Sequence, residues 1–225
     1  MPVLHPSGGL VYHLRAWRHC ATLWAPFHVQ VRAWLADWRP AATHLVLLGP
    51  SGGYALDTAF LARMPRITVL EPDPLARAIL RRRFPGTAFR FAPGEGLGRP
   101  DGLQRLAAAC PDAAFLFCNL LGQRLVGQGE ARQDWLAGLP AALAGRAWAS
   151  WHDLASTHRP PDVAEPFTLP RAEPLDEVLA HAWHGGELII HDHETAGLLP
   201  DAPRRHALWT LSPGHYHLVE WLHSA

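Results

Sequence analysis

Apolar positions along this chain follow two periods. Short runs that are apolar at nearly every position alternate with longer stretches in which apolar residues recur every three or four positions. The first pattern reads as strands covered on both faces, the second as helices with one buried side. The runs at His44–Leu48, 66–71, 87–91, Ala113–Cys118 and 146–151 are the predicted strands. Between them the spacing predicts helices over 54–63, Pro74–Arg83, 101–109 and 130–143. Asp73 followed by Pro74 is an N-cap with proline in the first turn, which starts the second of these helices sharply. Strict alternation implies right-handed β-α-β units and a mostly parallel sheet.

The two ends break the alternation. Residues 1–40 read as a helical extension. One stripe carries Leu14, Trp17, Ala21 and Trp24, and a second carries Phe27, Val31, Trp34, Leu35 and Trp38. Pro26 separates the two helices and Pro40 stops the second. The tryptophans are expected to pin these helices to the sheet; an aromatic lid or a homodimer surface is the other reading. After the fifth strand, 156–173 is rich in proline and polar residues and reads as a loop. A helix over 175–183 ends at Gly185-Gly186, and 187–191 is a predicted strand. The runs 206–211 and 215–222 flank Ser212-Pro213-Gly214, a hairpin signal.

Composition narrows the chemistry. The chain has 225 residues, 48% hydrophobic and 18% charged, which suits one well-buried domain. Its formal net charge is zero, which argues against nucleic acid or a membrane surface as a bulk partner. Lysine is absent, so a Schiff base, a lysine general base and a P-loop lysine are excluded. The three cysteines, Cys20, Cys110 and Cys118, form no CxxC and read as reduced thiols. With no apolar leader core and no run of membrane-spanning length, a cytoplasmic protein is expected.

The first predicted strand feeds a turn of small residues, Gly49, Pro50, Ser51, Gly52 and Gly53. The second ends in Glu71-Pro72, the third in Phe91-Ala92-Pro93-Gly94-Glu95-Gly96, and the fourth in Cys118-Asn119-Leu120. Small residues let backbone approach a ligand, and a carboxylate at the next strand end can accept hydrogen bonds from ribose hydroxyls. Turn amides at the start of the following helix would face an anionic ligand group. The dinucleotide spacing G-x-G-x-x-G is absent.

Over residues 41–155 this order of motifs resembles the class I S-adenosylmethionine-dependent methyltransferases. The resemblance implies a three-layer, doubly wound α/β fold, Rossmann-like over 41–225 and compact with its N-terminal extension 1–40. The sheet would be mostly parallel and seven-stranded, with a C-terminal antiparallel hairpin whose last strand is inserted before the sixth. It implies S-adenosylmethionine as cofactor and a small-molecule acceptor. Residues 49–53 would form the cofactor turn, Glu71 and Pro72 the ribose end, and Gly94 and Glu95 the adenine end. Asn119 and Leu120 would face the cofactor. The chain departs from the pattern in three places. Ser51 stands where a middle glycine is usual, Leu47 or Leu48 stands where many members carry an acid, and Asn119-Leu120-Leu121-Gly122 only partly echoes the usual turn. These departures motivate a second reading, a non-catalytic ligand- or partner-binding protein of the same fold.

Other residues carry sharper chemistry. Gly49-Pro50-Ser51-Gly52-Gly53 also matches the G-x-S-x-G elbow of serine hydrolases, with Asp153 or Asp192 and His191 or His215 as partners. Asn119 is the sole asparagine and is expected at the reacting centre, against the alternative of a strand cap. His152 ends the fifth strand and is either a general base or a strand-end histidine bonded to backbone. Of fifteen histidines, His191 and His193, and His215 and His217, form two His-x-His pairs. On neighbouring strands their four rings could converge on a metal, although solvent-facing histidines are the preferred reading and no metal is expected. Arg81, Arg82 and Arg83 read as a solvated helix end.

Overall fold

Leu45, Val46, Leu47 and Leu48 are all fully buried, so β1 (His44–Leu48) needs cover on both faces. The computed structural model, which describes residues 9–94, 97–121 and 130–224, provides it. Ahead of β1 lie α1 (Gly9–His19) and α2 (Ala25–Asp37). Then follow α3 (Thr58–Ala62), β2 (Arg66–Leu70), α4 (Pro74–Arg83), β3 (Phe89–Phe91), α5 (Gly102–Ala109) and β4 (Ala113–Cys118). The chain continues through α6 (Glu130–Ala137), α7 (Leu139–Leu143) and β5 (Trp148–Thr157). It ends with β6 (Phe167–Leu169), α8 (Leu175–Ala180), β7 (His191–Asp192), β8 (Arg204–Ser212) and β9 (His215–His223).

The sheet runs β3-β2-β1-β4-β5-β9-β8-β6, with β7 paired to β5 off this path. β1 to β5 are parallel, β9 is antiparallel to both β5 and β8, and β9 therefore lies between the fifth and the last long strand as the resemblance implies. The described sheet has nine strands, the short β6 and β7 adding to the seven expected. The expected strand over 187–191 shrinks to β7, because Ile189 is exposed and leaves the run without a buried face. The single helix expected over 130–143 is two, α6 and α7.

Side chains alternate between two cores. Leu45, Leu47, Ile67, Val69 and Trp151 face α1 to α4, whereas Val46, Leu48, Leu70, Phe115 and Phe117 face α5, α6 and α7. Trp24, Trp34 and Trp38 pin the N-terminal helices to the first core, and the Trp24 indole N–H donates to the Leu211 carbonyl at 2.9 Å. Trp17 does not join them: it is 86% exposed, with Leu14 beside it at 55%. The buried face of α1 is rotated by one residue, onto His13 and Ala16, because His13 makes polar contacts that hold the helix down.

His28 illustrates the chemistry of this core. Its ring is 3% exposed and lies against Trp24 and Phe27. Burial, assisted by Arg32 and Arg83, lowers its pKa from 6.5 to about 3. A depressed histidine pKa means the unfolded chain takes up the proton first. The group's full contribution is present above pH 6.5 and is lost as pH falls toward 3. Thermal melts across this window should therefore show a shallower acid slope for His28→Gln than for the wild type; equal slopes would refute the assignment.

Candidate functional site

The carboxyl ends of β1, β2, β4 and β5 form one rim, where open α/β sheets bind ligands. After β1 the backbone is forced into the left-handed region three times in five residues, at Gly49 (φ 64°), Ser51 (φ 51°) and Gly53 (φ 68°). Glycine takes this conformation without strain. The turn is tied to β2 at two points. Gly49 N–H donates to the Leu70 carbonyl at 2.9 Å, and Ser51 N–H donates to Glu71 Oε2 at 2.8 Å. Glu71 Oε1 accepts from Asp73 N–H at 3.0 Å, and the Arg77 guanidinium donates to the Glu71 carbonyl. The sequence thus paired residues 49–53 with Glu71 correctly. Burial pushes the Glu71 carboxyl up, and the two backbone donors oppose this.

The space beside the turn belongs to the chain itself. A Cβ on Gly52 would lie 2.8 Å from Ile79 Cγ2 and 2.9 Å from the Tyr54 ring. One on Gly53 would lie 2.5 Å from Leu80 Cδ1, and one on Gly49 would lie 3.2 Å from Leu120 Cδ1. These glycines permit close packing of α4 and of Leu120 on the turn. The helix expected from residue 54 begins only at Thr58, because Asp57 caps it by accepting Phe60 N–H at 2.7 Å. No helix terminus therefore opens directly from the turn, and α3 has only five residues. This also removes the strand-turn-helix geometry of a hydrolase elbow, and among the described residues Ser51 Oγ has no hydrogen bond to a histidine.

α1 closes the rim from one side. His13 Nδ1 lies 2.8 Å from Tyr54 Oη, and His13 Nε2 lies 3.5 Å from Asp73 Oδ2. Burial lowers the His13 pKa, with Asp73 opposing it. Tyr54 is held further by Arg32, which donates to its carbonyl at 2.8 Å, and by Arg83, whose guanidinium stands 5.0 Å over its ring. Burial and the opposing charge of Arg83 leave the Tyr54 phenol pushed up to about 12. Tyr12, beside it on α1, is raised further still, by burial first and then by the charges of Tyr54, Asp153, Cys20 and Glu71. Its ring packs against Trp24 and Tyr54, with centroids 5.4 and 6.0 Å apart.

Asn119 (φ 54°) ends β4 and clasps Asp153 on β5. Its Nδ2 donates to Asp153 Oδ2 at 2.9 Å, and its Oδ1 accepts Asp153 N–H at 3.0 Å. This is the cap geometry, and it also aims the Asp153 carboxylate. His152 occupies the opposite face of β5 and is fully buried. Its Nδ1 lies 3.1 Å from Ser150 Oγ and its Nε2 3.3 Å from Glu220 Oε1. It is therefore not at the reacting edge; strand alternation turned it into a closed ionic cluster with Glu220, Arg204 and His206. Leu120 is buried, Pro50 and Gly52 are buried, and Pro72 is exposed. Gly94 has nothing within 4 Å of a Cβ. Glu95 lies outside the described residues, as do Gly96 and Gly122.

A cavity of about 430 Å³ lies between the end of β2 and α5, lined by Leu70, Pro93, Leu97, Arg99, Arg105 and Leu106. A second cluster, missed in the sequence, joins Asp153 to His193 and His217, one histidine from each His-x-His pair. Four histidines do not converge. A register shift between Asp153 and Ala155 is responsible. It keeps Asp153 and Ser156 on one face, opposite His217, where unbroken alternation would separate them. His217 Nδ1 lies 3.2 Å from Asp153 Oδ2, and His193 N–H donates to the Leu154 carbonyl at 2.9 Å. Burial alone would raise the Asp153 carboxyl, but His217, His193 and the Asn119 amide hold it well below the usual range.

No family model matches the chain, and no curated protein matches it. Among solved structures it is similar to the N-methyltransferase NodS from Bradyrhizobium japonicum WM9, in complex with S-adenosyl-L-homocysteine. Identity is 11%, the TM-score is 0.47, and the match covers 93% of this chain and 97% of that one. It is also similar to CalS10, an amino pentose methyltransferase from Micromonospora echinaspora, at 16% identity and TM-score 0.38 over 94% of this chain and 80% of that one. The sugar N-methyltransferase KedS8 from Streptoalloteichus sp. is similar at 15% identity and TM-score 0.39, over 99% of this chain and 81% of that one. No helix among the described residues is long and apolar enough to cross a membrane.

Proposed function

We propose that the chain binds S-adenosylmethionine along the carboxyl rim and transfers its methyl group to a small-molecule acceptor. The observation that supports this most directly is the Glu71 carboxylate held 2.8 Å from the Ser51 amide, with the glycine turn after β1, where the strand order reverses, and the acid at the end of the adjacent β2. A carboxylate has about four acceptor sites, so its two backbone donors leave capacity for ribose hydroxyls and fix their direction. The cavity behind Leu70 offers apolar walls to a flat base, and Arg99 and Arg105 border it. Bound here, the cofactor supplies a methyl group already activated on its sulfonium. The chain's task is then to orient the acceptor and exclude water. Asn119 and Asp153, bonded to each other past the end of β4, are the polar pair at the rim. The missing acid-base pair at His152 is no obstacle to such chemistry.

A second reading, a non-catalytic binding protein, is favoured by the filled turn. The sites of the absent Cβ atoms at Gly52 and Gly53 are already occupied by Ile79, Tyr54, Leu80 and Phe84. Calorimetric titration tests the first, and binding without methyl transfer to any of a broad panel of acceptors would favour the second. Binding of both S-adenosylmethionine and S-adenosylhomocysteine at micromolar concentration is the expected result. No heat with either ligand, together with no shift in melting temperature, would remove the first reading and leave the second.

A further inference from the structure

We propose that Asp153, His193 and His217 form a binding site for one divalent transition-metal ion, of which zinc is the best match. One ligand atom from each of the three lies within 4.8 Å of the others. His217 and Asp153 are 7% and 6% exposed. Two polar needs inside this cluster are unmet among the described residues. Asp153 Oδ1 has no hydrogen-bond partner, and neither ring nitrogen of His217 has one, although Nδ1 stands 3.2 Å from Asp153 Oδ2. Buried polar atoms are rarely left so, and a cation held by one oxygen of Asp153 and one ring nitrogen of His217 gives each side chain a partner.

The donor set decides the kind of ion. Two imidazoles and one carboxylate suit zinc or a neighbouring first-row ion, whereas magnesium and calcium take oxygen ligands. Tetrahedral zinc sets its ligand atoms roughly 3.3 Å apart. The 3.2 Å edge between His217 Nδ1 and Asp153 Oδ2 already has that length. The surroundings are built to hold the ligands in place. The Asn119 amide donates to Asp153 Oδ2 at 2.9 Å, and the Thr195 hydroxyl donates to the Asp153 carbonyl at 2.5 Å. Three protein ligands leave a fourth position for water or for an oxygen or nitrogen of a small molecule. The site stands on these residues whether or not the chain transfers methyl groups.

The test uses the full chain without any nucleoside ligand, so its outcome is independent of cofactor binding. The protein is stripped with a chelator, loaded with zinc chloride, desalted and assayed by atomic emission. About one zinc per chain is expected, and cobalt(II) in its place should give the visible absorption of a low-coordinate nitrogen-oxygen site. His193→Ala and His217→Ala should each lose the metal, whereas His191→Ala and His215→Ala should retain it. Zinc-free wild-type protein, or full retention in the two ligand variants, would overturn the proposal. Should a ligand variant fail to fold, competition of the wild type against a chromophoric chelator decides: a dissociation constant weaker than about 1 μM overturns it.

Discussion

Glu220→Ala should destabilise the folded chain by about 3–5 kcal/mol, the cost of leaving a buried charge without its counter-ion. Glu220 is 3% exposed and Arg204 1%. Arg204 NH1 donates to Glu220 Oε1 at 2.6 Å, and His206 Nε2 lies 3.2 Å from Oε2. Burial alone would raise the Glu220 carboxyl. Hydrogen bonds from His152 and His206 and the charge of Arg204 hold it well below the ordinary range instead. Truncating the acid leaves the buried guanidinium with only the Leu199 carbonyl, to which its NH2 donates at 3.0 Å. Denaturant melts should show the loss as a shifted midpoint with little change in slope. The double variant Arg204→Met/Glu220→Leu should recover only part of it, because it removes the stranded charge but leaves the buried His152 and His206 without their acceptor. If the single variant loses less than about 1 kcal/mol, the cluster is open to water and its burial has been misjudged.

Glu71→Ala should weaken S-adenosylmethionine binding by at least about 100-fold, equivalent to roughly 2.7 kcal/mol. Two effects combine. The variant removes the acceptor for ribose hydroxyls, and it frees the Ser51 and Asp73 amides that set the shape of the turn. Glu71→Gln keeps one acceptor oxygen and should fall between the wild type and Glu71→Ala. Calorimetry on all three proteins checks the order. Wild-type affinity in Glu71→Ala would show that the acid serves only to fasten β2 to the turn.

Much of the scaffold was legible because it depends on local rules. The runs His44–Leu48 and Ala113–Cys118 are apolar throughout, and they became strands with those bounds. Asp73-Pro74 started α4 as expected, with Asp73 Oδ1 accepting Leu75 N–H at 2.8 Å. The turn after β1 was equally readable, since two of its three left-handed residues, Gly49 and Gly53, are glycine and only Ser51 is not. The failures have physical causes too. The helix expected from Tyr54 starts at Thr58, because a side-chain cap at Asp57 competes with propensity. α1 buries His13 where its stripe of Leu14 and Trp17 promised an apolar face, because a hydrogen bond to a residue 41 positions away outweighed the local pattern. His152 was placed at the rim from its position in the strand, and the period of two turned its ring to the other face.

By itself, then, the order of apolar runs and turn residues determined an alternating α/β chain, its closing hairpin, and the meeting of a glycine turn with the acid at Glu71. Those features follow from backbone sterics, burial and right-handed connection, which act over a few residues or between successive elements. Tertiary structure alone decided which histidines meet Asp153 and that Glu220 gathers His152, Arg204 and His206. Such meetings depend on strand register and on one irregular residue in β5. A shift of a single position there moves every later side chain to the opposite face, and no local pattern records it.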